Sequence, residues 1–228
     1  AAFTPKALAA LTPRIESLID AYLNELADRR EMEVVADFSF KLPVEVVCDM
    51  LGVPSSDRIQ IRDWALLILG GLEPVLTSQQ FDAGCRAVED FKAYLRDLLA
   101  HRRTHPDEAK PGEILTALAE AEEDGKKLTE LELLHQCIFL LNAGHETSTN
   151  MISHGIHEML RHPDQIACLQ ADPNLIESAV EEILRYHAPI QINNRRALVD
   201  TELSGMLIPA GAIAHLMIAG ANRDPAQF

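Results

Sequence analysis

The chain has 228 residues, enough for one substantial hydrophobic core. Hydrophobic residues make up 47% and charged residues 24%, which is the composition of an ordinary globular protein and excludes a disordered or fibrous one. A formal net charge of −15 repels phosphate backbones and anionic lipid, so we expect no nucleic acid and no membrane surface among the partners.

Helical patterns dominate the first half of the chain. Thr12-Pro13 predicts a helix start, because a hydroxyl can cap the helix and proline suits its first turn. The β-prone run 34–40 predicts a short extended piece, and Leu42-Pro43 then opens a helix that Gly52-Val53-Pro54 ends. Further predicted segments are helices over about 57–69 and 79–101, a break at 70–74, a loop over 104–112 and a helix over 113–123.

One exceptionally long helix is predicted from Thr129, a plausible cap, to Arg161. The segment contains no proline, and at 1.5 Å per residue it is about 50 Å long, enough to cross a whole domain. His162-Pro163 ends it, and a second helix is predicted over 175–187. After Pro189 the sequence predicts short strands over 196–199, 206–208 and 212–218, with breaks at Ser204-Gly205 and at 209–211. The fold class is therefore mainly α with a small β-sheet.

A strip of small residues lies inside the long helix, in the sequence Ala143-Gly144-His145-Glu146-Thr147-Ser148. Ala143, Gly144 and Thr147 fall within one turn, so a flat group could approach the backbone there. Glycine inside a helix costs about 1 kcal/mol relative to alanine, which suggests a site at this point. The other interpretation, that Gly144 only permits tight packing between helices, stays open.

This strip resembles the oxygen-binding helix of the cytochrome P-450 superfamily, whose pattern is Ala/Gly-Gly-x-Asp/Glu-Thr/Ser. Glu182 and Arg185 resemble the buried Glu-x-x-Arg pair of the same family, in which loss of one partner should cost about 3–5 kcal/mol. Taken on its own, such a pair is usually solvated and contributes under about 1 kcal/mol. Further resemblances follow the family's order along the chain at Ala2-Phe3-Thr4-Pro5, Leu42-Pro43-Val44, Leu51-Gly52-Val53-Pro54, 189–197, Ile208-Pro209-Ala210-Gly211 and 221–228.

The resemblance implies a haem-thiolate monooxygenase of the soluble bacterial type, with a helical core built round one long central helix. It implies haem as cofactor, contacted by Ala143, Gly144 and Thr147, with Arg195 binding a propionate because a forked donor suits a carboxylate. Thr147 would hydrogen-bond the bound oxygen, and Glu146 would relay protons from solvent. The alternative is that Arg195 is only an exposed charge on a strand, a role that is expected of Arg196 rather than of Arg195.

The resemblance also implies a substrate pocket lined by Phe139, Asn142 and Ala143 on the helix and by Ile190 and Ile192 after the second helix. Because this lining is mostly apolar, we expect a small hydrophobic organic substrate that receives one oxygen atom from O₂. The electrons would come from a partner such as a ferredoxin.

Two parts of the family pattern are expected beyond this sequence: the first helices, and a Phe-x-x-Gly-x-x-x-Cys-x-Gly loop that supplies the axial thiolate. We therefore interpret residues 1–228 as a single partial domain, an internal fragment that is inactive by itself. Phe81-Asp82-Ala83-Gly84 begins like the loop, but Val88 stands where its cysteine would be. Cys85 is expected to be a small buried residue rather than a ligand. Uncovered apolar surface should make the isolated chain self-associate.

The four cysteines are scattered singly, which argues against a zinc ribbon or a disulfide scaffold and favours reduced thiols in a cytosol. No window approaches the roughly 20 apolar residues of a membrane span, and the first residues lack a signal pattern. We expect a cytoplasmic protein.

Two alternatives from other functional classes remain. The first is a non-catalytic helical binding or scaffold domain, in which the small-residue strip serves packing alone. The second is a di-iron carboxylate bundle, suggested by Glu132 and His135, although that fold needs two such pairs. A zinc-protease motif fails because Thr149 occupies the place of the second histidine after His145. The histidines near the end of the long helix are expected to be solvated, and they are His154, His157 and His162.

Overall fold

The computed structural model describes residues 9–29, 31–71, 73, 75–109, 113–120, 122–123 and 126–228. The Ala2-Phe3-Thr4-Pro5 segment and parts of the predicted break at 70–74 and of the loop at 104–112 lie outside these residues. The chain divides into two compact units, residues 1–149 and 150–228.

The first unit is helical. Its α-helices are α1 (Thr12–Leu26), α2 (Lys41–Met50), α3 (Arg58–Gly70), α4 (Ser78–Thr104), α5 (Leu115–Glu120) and the first part of α6 (Glu130–Arg161), which continues into the second unit. Short 3₁₀ turns occur at Ser55–Asp57 and Pro106–Glu108, and a two-stranded antiparallel ribbon joins β1 (Glu122–Glu123) to β2 (Lys126–Lys127). The helices predicted over 57–69 and 79–101 are thus confirmed with small shifts at their ends.

The start of α1 and the segment before α2 differ from the sequence prediction. The N-cap of α1 is Leu11, with no side-chain cap, so Pro13 contributes to the helix start and the Thr12 hydroxyl does not. The extended piece predicted over 34–40 is wrong: Val35–Ser39 forms a π-helical turn. The side chain of Asp37 accepts a hydrogen bond from the backbone N–H of Glu33 at 2.9 Å, and the Glu33 carboxylate bonds the N–H of Ala36. These carboxylates satisfy the free N–H groups of a helical start, which outweighs the β-propensity of the valines.

A buried ion pair fixes the turn after α2. Gly52 has φ +71°, a left-handed conformation that suits glycine at a helix end. Arg102 of α4 donates to the Gly52 carbonyl at 3.0 Å and to the carboxylate of Glu113 at 2.7 Å. The side chains of Arg102 and Glu113 are only 7% and 1% exposed. The predicted end of α2 is confirmed, and its stability depends on a residue 50 positions away.

The hydrophobic core lies where α2, α3, α4 and α6 meet. Trp64 on α3 stacks on the fully buried Phe91 of α4 with ring centroids 5.6 Å apart. The first half of α6 contributes one apolar face to this core, because its apolar residues recur at helical spacing. The α6 members of the core are Leu133, Leu134, Cys137, Ile138 and Leu141.

Thr129 caps α6, as the sequence predicts, and together with Glu132 it forms a capping box. The backbone N–H of Thr129 donates to Glu132 Oε2 at 2.8 Å, and the N–H of Glu132 donates back to Thr129 Oγ1 at 3.3 Å. This reciprocal pair satisfies two of the free donors of the first turn.

The second unit contains the end of α6, then α7 (Pro163–Ala171), α8 (Ile176–Tyr186) and α9 (Ile218–Ala221). Its strands are β3 (Asn193–Arg196), β4 (Thr201–Leu203), β5 (Met206–Ile208) and β6 (Ile213–Leu216). β3 pairs antiparallel with β6, placing Arg195 opposite Ala214, and β4 pairs antiparallel with β5. The prediction of a strand over 196–199 is wrong, because pairing with β6 ends at Arg196. The turn at Ser204-Gly205 is confirmed, with φ of 51° and 79° as a two-residue hairpin loop needs.

The second unit buries little apolar surface. Among its residues, all of which are described, only Gly155 and Ala188 are buried. Large apolar side chains are exposed on its strands and between them: Met206 on β5 is 73% exposed, and Leu198 between β3 and β4 is 88% exposed. Within the described residues, no helix is long and apolar enough to cross a membrane. The predicted class, mainly α with a small β component, is confirmed.

Candidate active site

The face that α6 exposes around residue 143 contains the predicted site. Leu141 and His145 are buried, whereas Ala143 and Glu146 are exposed and Thr147 is partly exposed. Positions 143, 146 and 147 share one side of a helix with 3.6 residues per turn, so burial of 141 and 145 turns them outward. The structure therefore brings Ala143, Glu146 and Thr147 together on one open strip.

Side-chain hydroxyls bond back to the α6 backbone on both sides of this strip. Thr147 Oγ1 donates to the Ala143 carbonyl at 2.6 Å, and Thr149 Oγ1 donates to the His145 carbonyl at 2.9 Å. The Asn142 amide likewise donates to the Ile138 carbonyl at 2.8 Å. Such bonds compete with the helical ladder and loosen it, although α6 stays α-helical throughout.

Gly144 faces the core rather than the open strip. A Cβ built at this position would lie 3.1 Å from Val47 Cγ2 of α2. This contact supports the packing interpretation for Gly144, since any side chain would press on α2. Contact of Gly144 with a cofactor stays a prediction, and it would have to come from the backbone.

His145, for which no functional role was predicted, is buried and only 1% exposed. Its ring lies edge-on to that of Phe40, with centroids 4.5 Å apart. Burial lowers the pKa of His145, and the nearby positive charge of Arg62 acts in the same direction. Helical spacing could have predicted that His145 is buried, because position 145 continues the series of buried residues through Cys137 and Leu141.

The predicted substrate-contacting residues fall in both units. On α6, Phe139 is 67% exposed and Asn142 is partly buried. In the second unit, Ile190 and Ile192 are each 49% exposed. These side chains offer apolar surface, and their role in binding stays a prediction.

Glu182 and Arg185 pair on α8 as their spacing predicts. Arg185 Nε donates to Glu182 Oε2 at 2.7 Å, and Arg185 also bonds the carbonyl of Asn222. The expectation of a buried pair is not met in this chain, because the Glu182 side chain is 62% exposed. The estimate of 3–5 kcal/mol therefore does not apply here, and the pair has the small value of a solvated one.

Arg195 lies exposed on β3. Its guanidinium donates to Asn193 Oδ1 at 2.8 Å and to the Asn194 carbonyl at 2.9 Å. Arg196 is exposed as well. Arg195 is thus accessible as a forked donor for a carboxylate, and its assignment to a haem propionate stays a prediction.

Every cysteine of the chain is a free thiol. Cys48 and Cys137 lie in the core, where burial raises the pKa of each thiol to about 12 and keeps it protonated. Cys85 lies exposed on α4, so the expectation that it is buried is wrong: its position faces away from the side on which Gly84 and Ala87 pack. The two buried thiols are unsuited to bind a metal as thiolates.

The metal-centre alternatives gain no support. Glu132 is engaged in the capping box of α6, as described above. Over the described ranges, no group of three or more His, Cys, Asp or Glu side chains is placed to hold a metal ion.

Comparison with protein families identifies the chain. The family model described as Cytochrome P450 matches residues 59–228, about three quarters of the sequence. The chain belongs to the cytochrome P450 family. Family membership confirms the resemblance and implies haem iron as the cofactor.

Curated relatives of this cytochrome P450 chain match over its whole length. It is 38% identical over 228 residues to Cytochrome P450 CYP107DY1 of Priestia megaterium, covering 100% of the chain and 54% of the relative. It is also 38% identical over 223 residues to the Vitamin D(3) 25-hydroxylase of Pseudonocardia autotrophica, covering 97% of the chain and 53% of the relative. The chain spans about half the length of the curated relatives it matches.

Solved cytochrome P450 structures confirm the fold. A crystal structure of P450BioI in complex with an acyl carrier protein ligated to hexadec-9Z-enoic acid has a TM-score of 0.92 and 34% identity, covering 100% of this chain and 57% of that one. CYP109E1 of Bacillus megaterium in complex with testosterone has a TM-score of 0.88 and 32% identity, covering 100% and 60%.

In the first unit, Ala143 and Thr147 on the open strip have small side chains, so a flat group such as a haem could lie against them. In the second unit, the exposed guanidinium of Arg195 could bond a carboxylate. The cysteines fit a haem less well. Burial keeps Cys48 and Cys137 protonated, and Cys85 and Cys168 lie exposed on helices.

Proposed function

We propose that this chain is the part of a haem-thiolate monooxygenase that supplies the oxygen-side helix and the Glu-x-x-Arg helix. The enzyme inserts one oxygen atom from O₂ into a small hydrophobic organic substrate. The observation that carries the proposal is the open strip on α6, where Thr147 is bonded to the Ala143 carbonyl beside the exposed carboxylate of Glu146. Residues 1–228 form one partial domain in this proposal.

The Thr147 hydroxyl is arranged to accept a hydrogen bond. Because its single proton is donated to the Ala143 carbonyl at 2.6 Å, its lone pairs stay available on the open strip. Haem, when bound, supplies the iron at which O₂ is activated. Thr147 would then accept a hydrogen bond from a water on the open strip and orient it, and Glu146 would exchange protons with solvent. Positioned proton transfer of this kind contributes about 10²–10⁴ in rate.

The exposed apolar side chains support a hydrophobic substrate. Phe139 and Ala143 on α6 and Ile190 and Ile192 in the second unit present carbon surface with few polar groups, which is typical of small-molecule pockets. Electrons come from a partner such as a ferredoxin. The scattered free thiols support a cytoplasmic location.

The proposal is tested in the complete enzyme by Thr147→Ala, with Ser148→Ala as the matched control on the same turn. We expect Thr147→Ala to divert reducing equivalents to peroxide and to lower product formed per electron pair, while haem content stays unchanged. Peroxide, product and NAD(P)H consumption are measured together. Unchanged coupling in Thr147→Ala, or equal uncoupling in the control, contradicts the role of Thr147.

The interpretation that residues 1–228 are inactive by themselves is tested by haem absorbance. We expect the 228-residue chain to show no thiolate-type Soret band and no turnover after haem is added, since burial keeps the two core thiols protonated near neutral pH. A ferrous carbon monoxide complex absorbing as a thiolate adduct would show that one of its own cysteines binds the iron.

A further inference from the structure

Five titratable side chains gather at the C-terminal end of α6 and the end of α8. Glu158 of α6 accepts a hydrogen bond from His187 Nε2 at 2.8 Å. The side chains of Glu158 and His187 are 17% and 23% exposed, so both are well covered. The ring of His154 lies 4.9 Å from that of His187, and His162 Nε2 lies 3.5 Å from Glu158 Oε2. His157 stands 4.0 Å from the same carboxylate.

The second ring nitrogen of His187 faces a cation. Arg223 Nη2 lies 3.4 Å from His187 Nδ1, a contact in which the guanidinium must donate and the imidazole must accept. A neutral imidazole with its proton on Nε2 satisfies both contacts: it donates to Glu158 and accepts from Arg223. Protonation turns Nδ1 into a donor and sets two positive charges against each other.

Arg223 attaches the segment 222–228 to α8. Its Nε donates to the carbonyl of Tyr186 at 2.7 Å, and its guanidinium lies 4.3 Å from the centre of the Tyr186 ring. Arg185 adds a bond to the Asn222 carbonyl and a cation–π contact of 4.6 Å to Phe228. Repulsion between His187 and Arg223 would therefore weaken the attachment of this segment to α8.

We propose that His187 is an acid-sensitive latch, which holds Arg223 and the segment 222–228 against α8 while it is neutral and releases them when it gains a proton. Histidine is the side chain that changes charge between pH 5 and 8. The proton strengthens the bond to Glu158, so the ring stays on α6 and the released partner is Arg223. The titratable and charged groups around His187 are His154 and Glu158 from α6, Tyr186 and Glu182 from α8, and Arg223. Glu158 itself faces His157 and His162, and the charge of Arg161 acts on it.

Two pKa shifts agree with this direction. Hydrogen bonding from His187 lowers the pKa of Glu158, so this carboxylate stays ionised as the histidines gain protons. Burial lowers the pKa of His154, and the neighbouring His187 and His157 lower it further. Because the pKa of His154 is lowered in the folded state, this one group removes stability as the pH falls below its usual value of 6.5.

Amide hydrogen exchange of the 228-residue chain tests the latch at pH 7.5 and 5.5, with rates divided by intrinsic rates. The reporters are the N–H groups of Asn222, Arg223 and Asp224, which bond the carbonyls of Ile218, Gly220 and Ala221. We expect their protection to fall severalfold in the wild type, because the contact between Arg223 and His187 is lost. His187→Gln offers a donor and an acceptor without titrating, and its protection should change less than about twofold.

His101→Gln is the matched control, because His101 also bonds a carboxylate at 2.8 Å, in the first unit. It should leave the fall at 222–224 intact. Arg223→Gln should give low protection at both pH values, which keeps the test informative if His187→Gln does not fold. Constant protection in the wild type, or an equal fall in His187→Gln or Arg223→Gln, would overturn the proposal.

Discussion

Replacing Arg102 by methionine should be among the most destabilising single changes in the first unit. The Glu113 carboxylate, 1% exposed, would lose the guanidinium that bonds it at 2.7 Å, and the Gly52 carbonyl would lose a bond of 3.0 Å. Removal of one partner from a buried pair costs about 3–5 kcal/mol. At roughly 2–4 °C per kcal/mol for a chain of this size, Tm should fall by about 6–20 °C.

The fluorescence of the single tryptophan reports the thermal unfolding of the first unit specifically. Trp64 stacks on Phe91 in the core of the first unit, so its fluorescence follows unfolding there. Arg96→Met is the matched control: Arg96 also bonds a glutamate at 2.7 Å, but both side chains are about half exposed, so its loss should lower Tm far less than that of Arg102. Equal losses in the two variants would refute the assignment of burial as the cause.

Three further predictions concern stability and association. Burial raises the pKa of Asp49, but bonds from Arg14 and Arg58 outweigh it and leave the pKa below its usual value of 3.8, so this carboxylate stabilises the fold above that pH and the contribution is lost as pH falls below it. Asp49→Asn should therefore flatten the decline of the urea midpoint between pH 5 and 3. Thr129→Ala should cost about 1 kcal/mol in urea unfolding by removing the capping box, and an unchanged midpoint would contradict this. The open apolar side chains of the second unit, such as Leu198 at 88% exposure, should make the chain self-associate in light scattering, and a cooperative monomer would count against this.

Local signals predicted the helices well. Thr129 with Glu132, Gly52 at the end of α2 and Ser204-Gly205 each act through neighbouring backbone groups, so the sequence contains the whole cause. The turn at 34–40 was missed because side-chain carboxylates outside the apolar pattern satisfy its donors. The end of β3 was missed for another reason: β6 sets it, and pairing between distant strands leaves little local trace.

In the candidate site, too, features set by local sequence were predicted and features set by distant segments were not. The outward direction of Ala143 and Thr147 followed from helical spacing, and the pairing of Glu182 with Arg185 followed from their separation of three. Exposure did not follow: Glu182 and Cys85 are both open although burial was expected, because exposure depends on which other segments pack against a helix. The bond between Glu158 and His187 joins residues 29 apart and leaves no local pattern.

The unbroken winding of α6 makes its sequence intolerant of length changes. Each residue advances the helix by about 100°, so one amino acid inserted between Glu130 and Leu141 would swing Thr147 toward the packed interior and His145 out to water. Substitutions along this stretch alter one contact at a time, whereas an indel displaces every later side chain at once. Homologous chains that keep this chemistry should vary freely in loop length before Thr129 and hold the spacing from there to Thr147 constant.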